Sequence, residues 1–328
     1  MDDSASMHQF RTHWNYVRSF WELSSENLKD AYSPRTQDFY SIIDDSFRNM
    51  PPSKRDEHIN SDIEQSLRMA WATLLLLSRQ LRMCDDAPEL SRTIAAWASI
   101  QTYYAAYHST QALIMATGQV RPNHHSKTQS QFSSLWISRR EIVKPWSIGF
   151  GYHGAVNFIQ PPQEISNISI FESENSLALV SMALRTTWNA EFKEALIKES
   201  KTAHKARSKK WNEDIRLGNI QKSQPPWGKA RTKKLSTLDK ARVGDSLGPA
   251  SLLHYLARLR MRANYIGPDM FFDGPLDNSD CIHFVETLRD LAIAIIGVHE
   301  RRIAFEIGAS PVAAAKNRWQ MSHESQWM

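Results

Sequence analysis

One segment of the chain decides the fold: residues 94–114, which read IAAWASIQTYYAAYHSTQALI. When this segment is wound as a helix, apolar and aromatic side chains fall on nearly every side of it, and no proline or glycine interrupts it. A helix that is apolar all round is stable only when other helices cover it. The segment therefore predicts the central helix of an all-α bundle, running from about Glu89 to Thr117 with Gly118 at its C-terminal cap.

Helical periodicity continues on both sides of this central helix. Apolar residues spaced by three and four predict a helix from about 62 to 86, one after Gly248 and Pro249, and a long one over Asn278–Ile307. Another helix is predicted to start near Ser173, and its apolar pattern fades into the basic stretch Lys198–Lys210. The 328 residues contain only 12 Gly and 14 Pro, which is few for a protein of short strands. Helix packed on helix is the simplest architecture that covers all these apolar stripes.

We divide the chain on this basis into an antiparallel helical bundle and its additions. The bundle is expected over residues 61–310, with an irregular insertion at about 138–248. An N-terminal helical or irregular extension covers 1–60, and a tail covers 311–328.

The composition argues against several classes of protein. Two cysteines, Cys84 and Cys281, are too few for a disulfide framework and fit a reducing compartment. The first ten residues have no apolar run, so we expect no secretory signal, and no run approaches the roughly 20 apolar residues that span a bilayer. We expect a cytoplasmic protein without a membrane segment. We also expect no metal and no cofactor, because no ligand cluster or phosphate-binding glycine loop is present.

Positive charge is concentrated in one part of the chain. Lys198–Arg242 contains 14 Lys and Arg against 4 Asp and Glu, whereas the whole chain carries a formal net charge of only +5. Trp211 and Trp227 lie among these charges. Cationic side chains neutralise phosphates and aromatic rings stack on exposed bases, so the pattern favours RNA or another nucleic acid as partner. A solvated helix with a flexible linker, or an acidic protein partner, would explain the same charges.

Ten residues are the candidates for this nucleic-acid contact. Eight lie in the basic segment and two in the helix after Gly248: Lys205, Arg207, Lys209, Lys210, Trp211, Arg231, Lys233, Lys234, Arg258 and Arg262. Arg258, Arg262 and Tyr265 fall on one side of their helix. This side is expected to be a phosphate-facing strip, a solvated face, or the site of an Arg in a buried pair that holds the bundle.

Two stretches resemble a known family. The first is Tyr103–Leu113, followed by Gly118 and then His124 and His125, and the second is Leu259–Tyr265 before the last long helix. Both are similar to HEPN-domain proteins of the branch linked to toxin–antitoxin and defence systems. The resemblance implies a helical bundle that handles RNA, often as a homodimer. Many such proteins are metal-independent ribonucleases or partners of nucleotidyltransferase-like antitoxins.

The chain departs from the catalytic pattern of that family. Catalytic members carry an Arg and a His separated by four to six residues at the start of the last bundle helix, but Arg260 and Arg262 have no such His after them. Arg318 and His323 have this spacing, but in the tail. Whether the protein is an enzyme is therefore open at this point.

Three functions remain in competition. The first is a HEPN-like protein of a bacterial defence or toxin–antitoxin system that binds RNA, or a nucleic-acid-bound partner, through the basic segment. The second is a metal-independent ribonuclease toxin with Arg121, His124 and His125 as its catalytic residues. These histidines would equally suit a plain connection between helices. The third is a structural subunit that docks on an acidic protein.

Overall fold

The computed structural model describes residues 3–26, 59–137, 143–151, 176–220, 225–227 and 230–322. Within these ranges the chain forms ten α-helices, which we number in chain order. They are α1 Asp3–Glu26, α2 Ser61–Asp86, α3 Ser91–Ala116, α4 His125–Trp136, α5 Ser176–Arg216, α6 Thr237–Ser246, α7 Leu252–Met261, α8 Asp269–Phe272, α9 Asn278–Ile307 and α10 Ala309–Met321. The one β-pairing among the described residues is an isolated antiparallel bridge between Phe150 and Ala250. The prediction of an all-α helical bundle is confirmed.

The central helix is α3, as its sequence predicts. Most of its residues are buried, including Tyr103, Ala105, Leu113 and Ile114. It ends at Gly118, whose φ of 80° lies in the left-handed region that glycine adopts without strain.

Helices α2 and α9 pack along α3 on two sides. The short connection 87–90 makes α2 antiparallel to α3. In contrast, α9 runs parallel to α3, as two contacts show. The Thr102 hydroxyl donates to the Leu288 carbonyl at 3.4 Å. Further along both helices, Ser109 Oγ lies 2.8 Å from His299 Nδ1. The purely antiparallel arrangement that we expected thus applies to α2 but not to the α3–α9 pair, whose long connection permits either direction.

Helix α1 belongs to the same core, although we assigned it to an N-terminal extension. Its Phe10, Val17 and Phe20 are fully buried in the main hydrophobic cluster, and the helix packs on α5 and α9. The start of α5 also enters this cluster through Val180 and Leu184, although it lies within the range that we called an insertion. The described parts of both ranges therefore help to stabilise the bundle.

Beyond Trp188, helix α5 contains no buried residue. It nevertheless continues to Arg216, past the point where we expected the apolar pattern to fade into the basic segment. We refer to residues 189–216 as the distal half of α5. This half carries much of the basic segment away from the core, while α7 and α4 lie beside its beginning.

Candidate nucleic-acid interface

One face of the distal half of α5 is packed against the chain that returns towards the bundle. Ser200, Arg207 and Trp211 lie on this face at helical spacing. The Lys233 backbone N–H donates to the Ser200 carbonyl at 3.1 Å, and Arg207 Nη2 donates to the Thr232 carbonyl at 3.1 Å. These bonds hold residues 225–227 and 230–234, which we call the return segment, along the helix.

An aromatic contact reinforces this packing. The Trp211 and Trp227 ring centroids lie 5.7 Å apart, and the Arg207 guanidinium carbon lies 4.4 Å from the Trp227 ring centroid. Arg207 and Trp211 are therefore engaged in contacts within the chain, of a kind worth about 0.5–1.5 kcal/mol each. Of the residues that we predicted to contact nucleic acid, these two hold the return segment in place.

The opposite face of the same helix carries exposed lysines. Lys198, Lys201, Lys205 and Lys209 follow one another at spacings of three and four residues, so they share one side of the helix. All four are exposed, and no carboxylate lies within ion-pair distance of them in the part of the chain that the structure describes. We call these four residues the lysine face.

The other predicted basic residues surround the lysine face. Lys210 is exposed on the flank of α5, and Arg231, Lys233 and Lys234 are exposed on the return segment. Lys205 and Lys209 thus belong to the lysine face. Lys210, Arg231, Lys233 and Lys234 extend the positive surface to its sides.

The lysine face leads into a cleft of about 930 Å³ between α4, α5 and α7. We call it the polar cleft, because polar and charged side chains supply much of its lining. These are Ser126, Gln129, Ser130, Ser133, Ser134, Glu191, Glu194, Lys198, His254 and Arg258. Glu191 lies three residues before Glu194, and Glu194 lies four residues before Lys198, so both continue the lysine face along α5.

Burial shapes the charges in the polar cleft. It raises the pKa of Glu191 to about 7, with Glu194 adding to the rise and the positive charge of Arg258 opposing it. Burial lowers the pKa of Arg258, as does the neighbouring Arg262. Burial also lowers the pKa of His254 to about 4. His254 therefore stays neutral at pH 7, and its Nδ1 accepts a hydrogen bond from the Ser251 backbone N–H at 3.3 Å.

A second cluster lies on the other flank of α7, around the tyrosines of α3. His125 Nδ1 lies 2.7 Å from the Tyr103 hydroxyl, and its ring centroid lies 4.6 Å from that of Tyr107. Arg260 Nη1 donates to the Tyr104 hydroxyl at 3.1 Å, and its guanidinium carbon lies 5.1 Å from the Tyr103 ring centroid. We call these five residues the tyrosine–histidine cluster. Partial burial and the charge of Arg260 lower the pKa of His125.

The three predicted catalytic residues are distributed unevenly around this cluster. His125 lies inside it. Arg121 borders it, because Arg121 Nη2 donates to Gln111 Oε1 at 3.4 Å and Gln111 in turn donates to the Tyr107 hydroxyl at 2.9 Å. His124 is the exposed N-cap residue of α4 and makes no side-chain capping bond.

The two segments that carry the family resemblance meet in the tyrosine–histidine cluster. Arg260, from the second segment, contacts Tyr103 and Tyr104 of the first. We did not predict Arg260 as a site residue. The available signal was its position two residues after Arg258, which turns it to the opposite flank of α7.

Arg258 and Arg262 are neighbours on α7 and the turn after it, but they face different surroundings. Arg258 lines the polar cleft, while Arg262 Nη1 donates to Gln9 Oε1 of α1 at 3.4 Å. Tyr265, which we placed on the same side, is 71% exposed. In the tail, Arg318 bonds to Glu64 at 3.0 Å, and His323 lies outside the described residues.

Comparisons of the chain with protein-family models, with curated proteins and with solved structures found no match. In the described ranges, no three His, Cys, Asp or Glu side chains are grouped so that they could hold a metal ion. No described helix is both long and apolar enough to cross a membrane. Cys84 and Cys281 are buried and unpaired.

Proposed function

We propose that this protein binds RNA, or another nucleic acid, through the lysine face of α5. The observation that supports it is the division of the distal half of α5 into two faces. One face is occupied by the return segment, and the other presents four lysines without carboxylate partners among the described residues. Lysines placed in this way bind phosphates and release counterions.

The dimensions of the lysine face suit a short stretch of nucleic-acid backbone. At 1.5 Å rise per residue, Lys198 and Lys209 are separated by about 16 Å along the helix. A row of this length spans several consecutive phosphates, because each strand of a DNA duplex carries one phosphate per about 3.4 Å of helix axis. The exposed Arg231, Lys233 and Lys234 widen the positive surface.

The biological setting that we propose follows from the family resemblance. It is a HEPN-like protein of a bacterial defence or toxin–antitoxin system, acting in the cytoplasm. A nucleotidyltransferase-like antitoxin and a second copy of the chain are the proposed protein partners. The meeting of the two resembling segments at Arg260 and Tyr104 supports this proposal.

A second candidate function is metal-independent RNA cleavage at the tyrosine–histidine cluster, with Arg121 at its border. The observation that favours it is the 2.7 Å contact of His125 Nδ1 with the Tyr103 hydroxyl, close enough to Arg260 for the guanidinium charge to lower the pKa of His125. Arg260 would hold the scissile phosphate, and His125 would take the proton of the attacking 2′-hydroxyl while the departing 5′-oxygen takes one from solvent. Incubation of RNA with the protein in a chelator tests this function. Cleavage that is lost in His125→Ala and kept in His124→Ala would support it, and intact RNA would contradict it.

Charge reversal on α5 tests the proposed binding. Fluorescence anisotropy with labelled single-stranded RNA, single-stranded DNA and duplex DNA measures the affinity of Lys205→Glu/Lys209→Glu. We expect a loss of at least about tenfold, because two attractive contacts become repulsive. The matched control, Lys193→Glu, alters an exposed lysine elsewhere on the same helix and should bind as the wild type does. Failure of the wild-type protein to bind any of the three probes would refute the proposal and favour an acidic protein partner.

A further inference from the structure

The polar cleft contains charges that the lysine face does not explain. Glu191 and Arg258 are both half-buried and line the same cleft from α5 and α7. No ion pair joins Arg258 to Glu191 or Glu194 among the described residues, although their charges affect one another. Burial of unpaired charges is unfavourable, so a carboxylate and a guanidinium held apart across a cleft indicate that something else binds between them.

The cleft also has the size and the polar groups of a ligand site. Its volume of about 930 Å³ falls in the upper part of the range of about 300–1,000 Å³ that is typical of small-molecule sites. On the α4 side, Ser126, Gln129, Ser130 and Ser133 recur at helical spacing, and all four line the cleft. They supply hydroxyls and an amide that donate or accept hydrogen bonds.

The arrangement of charges specifies the chemistry of the ligand. Arg258 and Lys198 would bind an anionic group such as a phosphate. Glu191, which has no donor bonded to it among the described residues, would accept a hydrogen bond from a hydroxyl. A ribonucleotide combines these two features, since it carries a phosphate and a 2′-hydroxyl, and a deoxyribonucleotide lacks the second.

We infer that the polar cleft binds one ribonucleotide of the RNA strand that the lysine face holds, with Arg258 and Lys198 on its phosphate and Glu191 on its 2′-hydroxyl. This inference rests on the proposed RNA binding and specifies which nucleic acid is preferred. The pKa of about 7 at Glu191 is compatible with it, because a carboxylate that is partly neutral at pH 7 repels a nearby phosphate less.

The phosphate and 2′-hydroxyl that the cleft would bind could belong either to a free ribonucleotide or to a ribonucleotide within an RNA strand. The structure favours the strand, because Lys198 belongs both to the lysine face and to the lining of the cleft. A strand lying along Lys209, Lys205 and Lys201 would reach the cleft without leaving this side of α5.

The experiment compares single-stranded RNA and DNA of the same sequence, about 12 nucleotides long, by fluorescence anisotropy. We expect the wild type to bind RNA roughly tenfold more tightly than DNA, the effect of one hydrogen bond to a charged group. Glu191→Ala should reduce this ratio to near one, and Arg258→Met should weaken both probes equally. The matched control Glu199→Ala, which removes an exposed carboxylate of α5 outside the cleft, should leave the ratio unchanged. Circular dichroism and thermal unfolding establish that each variant is folded.

The outcomes separate this inference from the proposed function. Suppose that the wild type binds RNA and DNA equally and that Glu191→Ala changes nothing, while Lys205→Glu/Lys209→Glu still abolishes binding. The inference about the cleft is then wrong, and the proposed binding by the lysine face is retained. If no probe binds, both proposals fail. Free AMP at low millimolar concentration serves as competitor. Weak competition supports binding of a nucleotide within an RNA strand. Displacement of RNA by micromolar AMP would overturn this inference and show that the cleft binds a free nucleotide.

Discussion

Removing three lysines of the lysine face should reduce the salt dependence of RNA binding by a calculable amount. In Lys201→Ala/Lys205→Ala/Lys209→Ala, three exposed cations are lost from one side of α5. Alanine is the best helix former, so the helix itself should persist. Lys198 is kept, because it also lines the polar cleft.

The magnitude follows from counterion release. Each phosphate neutralised on a single strand contributes about 0.7 to the slope of log affinity against log salt, so three lost contacts lower the slope by about 2. Between roughly 0.05 and 0.2 M salt, the wild type should therefore lose about 15- to 20-fold more affinity than the variant. Fluorescence anisotropy at four or five salt concentrations measures both slopes.

The control variant removes the same number of charges elsewhere. Arg82, Arg185 and Lys193 are exposed and lie outside the lysine face, and changing all three to Ala lowers the net charge equally. If the attraction is local, this variant keeps the wild-type slope. Equal slopes for the two triple variants would show that net charge alone drives binding, and the reasoning from the two faces of α5 would be refuted.

Three further predictions concern the fold. Gly118→Ala should lower the free energy of unfolding, measured in urea, by about 1 kcal/mol. A φ of 80° strains a residue that has a Cβ, and no other atom lies within 4 Å of that Cβ to add a clash. An unchanged free energy of unfolding would exclude the left-handed cap. Trp227→Ala should make trypsin cleave the basic segment several-fold faster, because it removes the ring contacts that hold the return segment. The control Trp97→Ala changes an exposed tryptophan and should not. Equal cleavage rates in the two variants would show that other contacts hold the return segment. Burial lowers the pKa of His254 from about 6.5 to about 4, so its contribution to stability is present above pH 6.5 and is lost as the pH falls towards 4. His254→Gln should therefore weaken the pH dependence of the unfolding free energy in this window by up to about 1.4 kcal/mol per pH unit. An unaltered dependence would mean that folding does not lower the pKa of His254.

Much of the helical core could be predicted from the sequence because apolar spacing and glycine caps are local signals. Helix α9 has the predicted bounds, Asn278–Ile307, and Gly308 follows it with a φ of 98°. The apolar and aromatic pattern of residues 94–114 predicted that other helices cover the tyrosines of α3. Tyr103 and Tyr107 are indeed buried, and their hydroxyls have polar partners in His125 and Gln111.

The length of α5 was harder to predict. Its distal half has no apolar stripe, so the pattern indicated that the helix fades after Lys198. The structure continues it to Arg216 because the segment is rich in Ala, Lys, Glu and Arg, which favour helix on their own. Polar and cation–π contacts to the return segment then fix it, and Arg207 is central to them. Such contacts leave no periodic signal in a sequence.

The polar cleft could not be found from the sequence because its parts are distant along the chain. Glu191 is one of many glutamates until α7 places Arg258 across the cleft from it. Arg260 likewise becomes a candidate site residue only when the fold places it against Tyr103 and Tyr104 of α3. The sequence indicated which residue types to consider, and tertiary packing determined which of them meet.

Chemical footprinting of lysines with and without RNA tests the central claim most directly. An amine-reactive acylating reagent followed by mass spectrometry measures the reactivity of each exposed lysine in the same sample. Our account predicts that RNA protects Lys201, Lys205 and Lys209, while Lys193 on another side of α5 reacts as before. Protection of Lys193 instead, or no protection of the other three at saturating RNA, would contradict it.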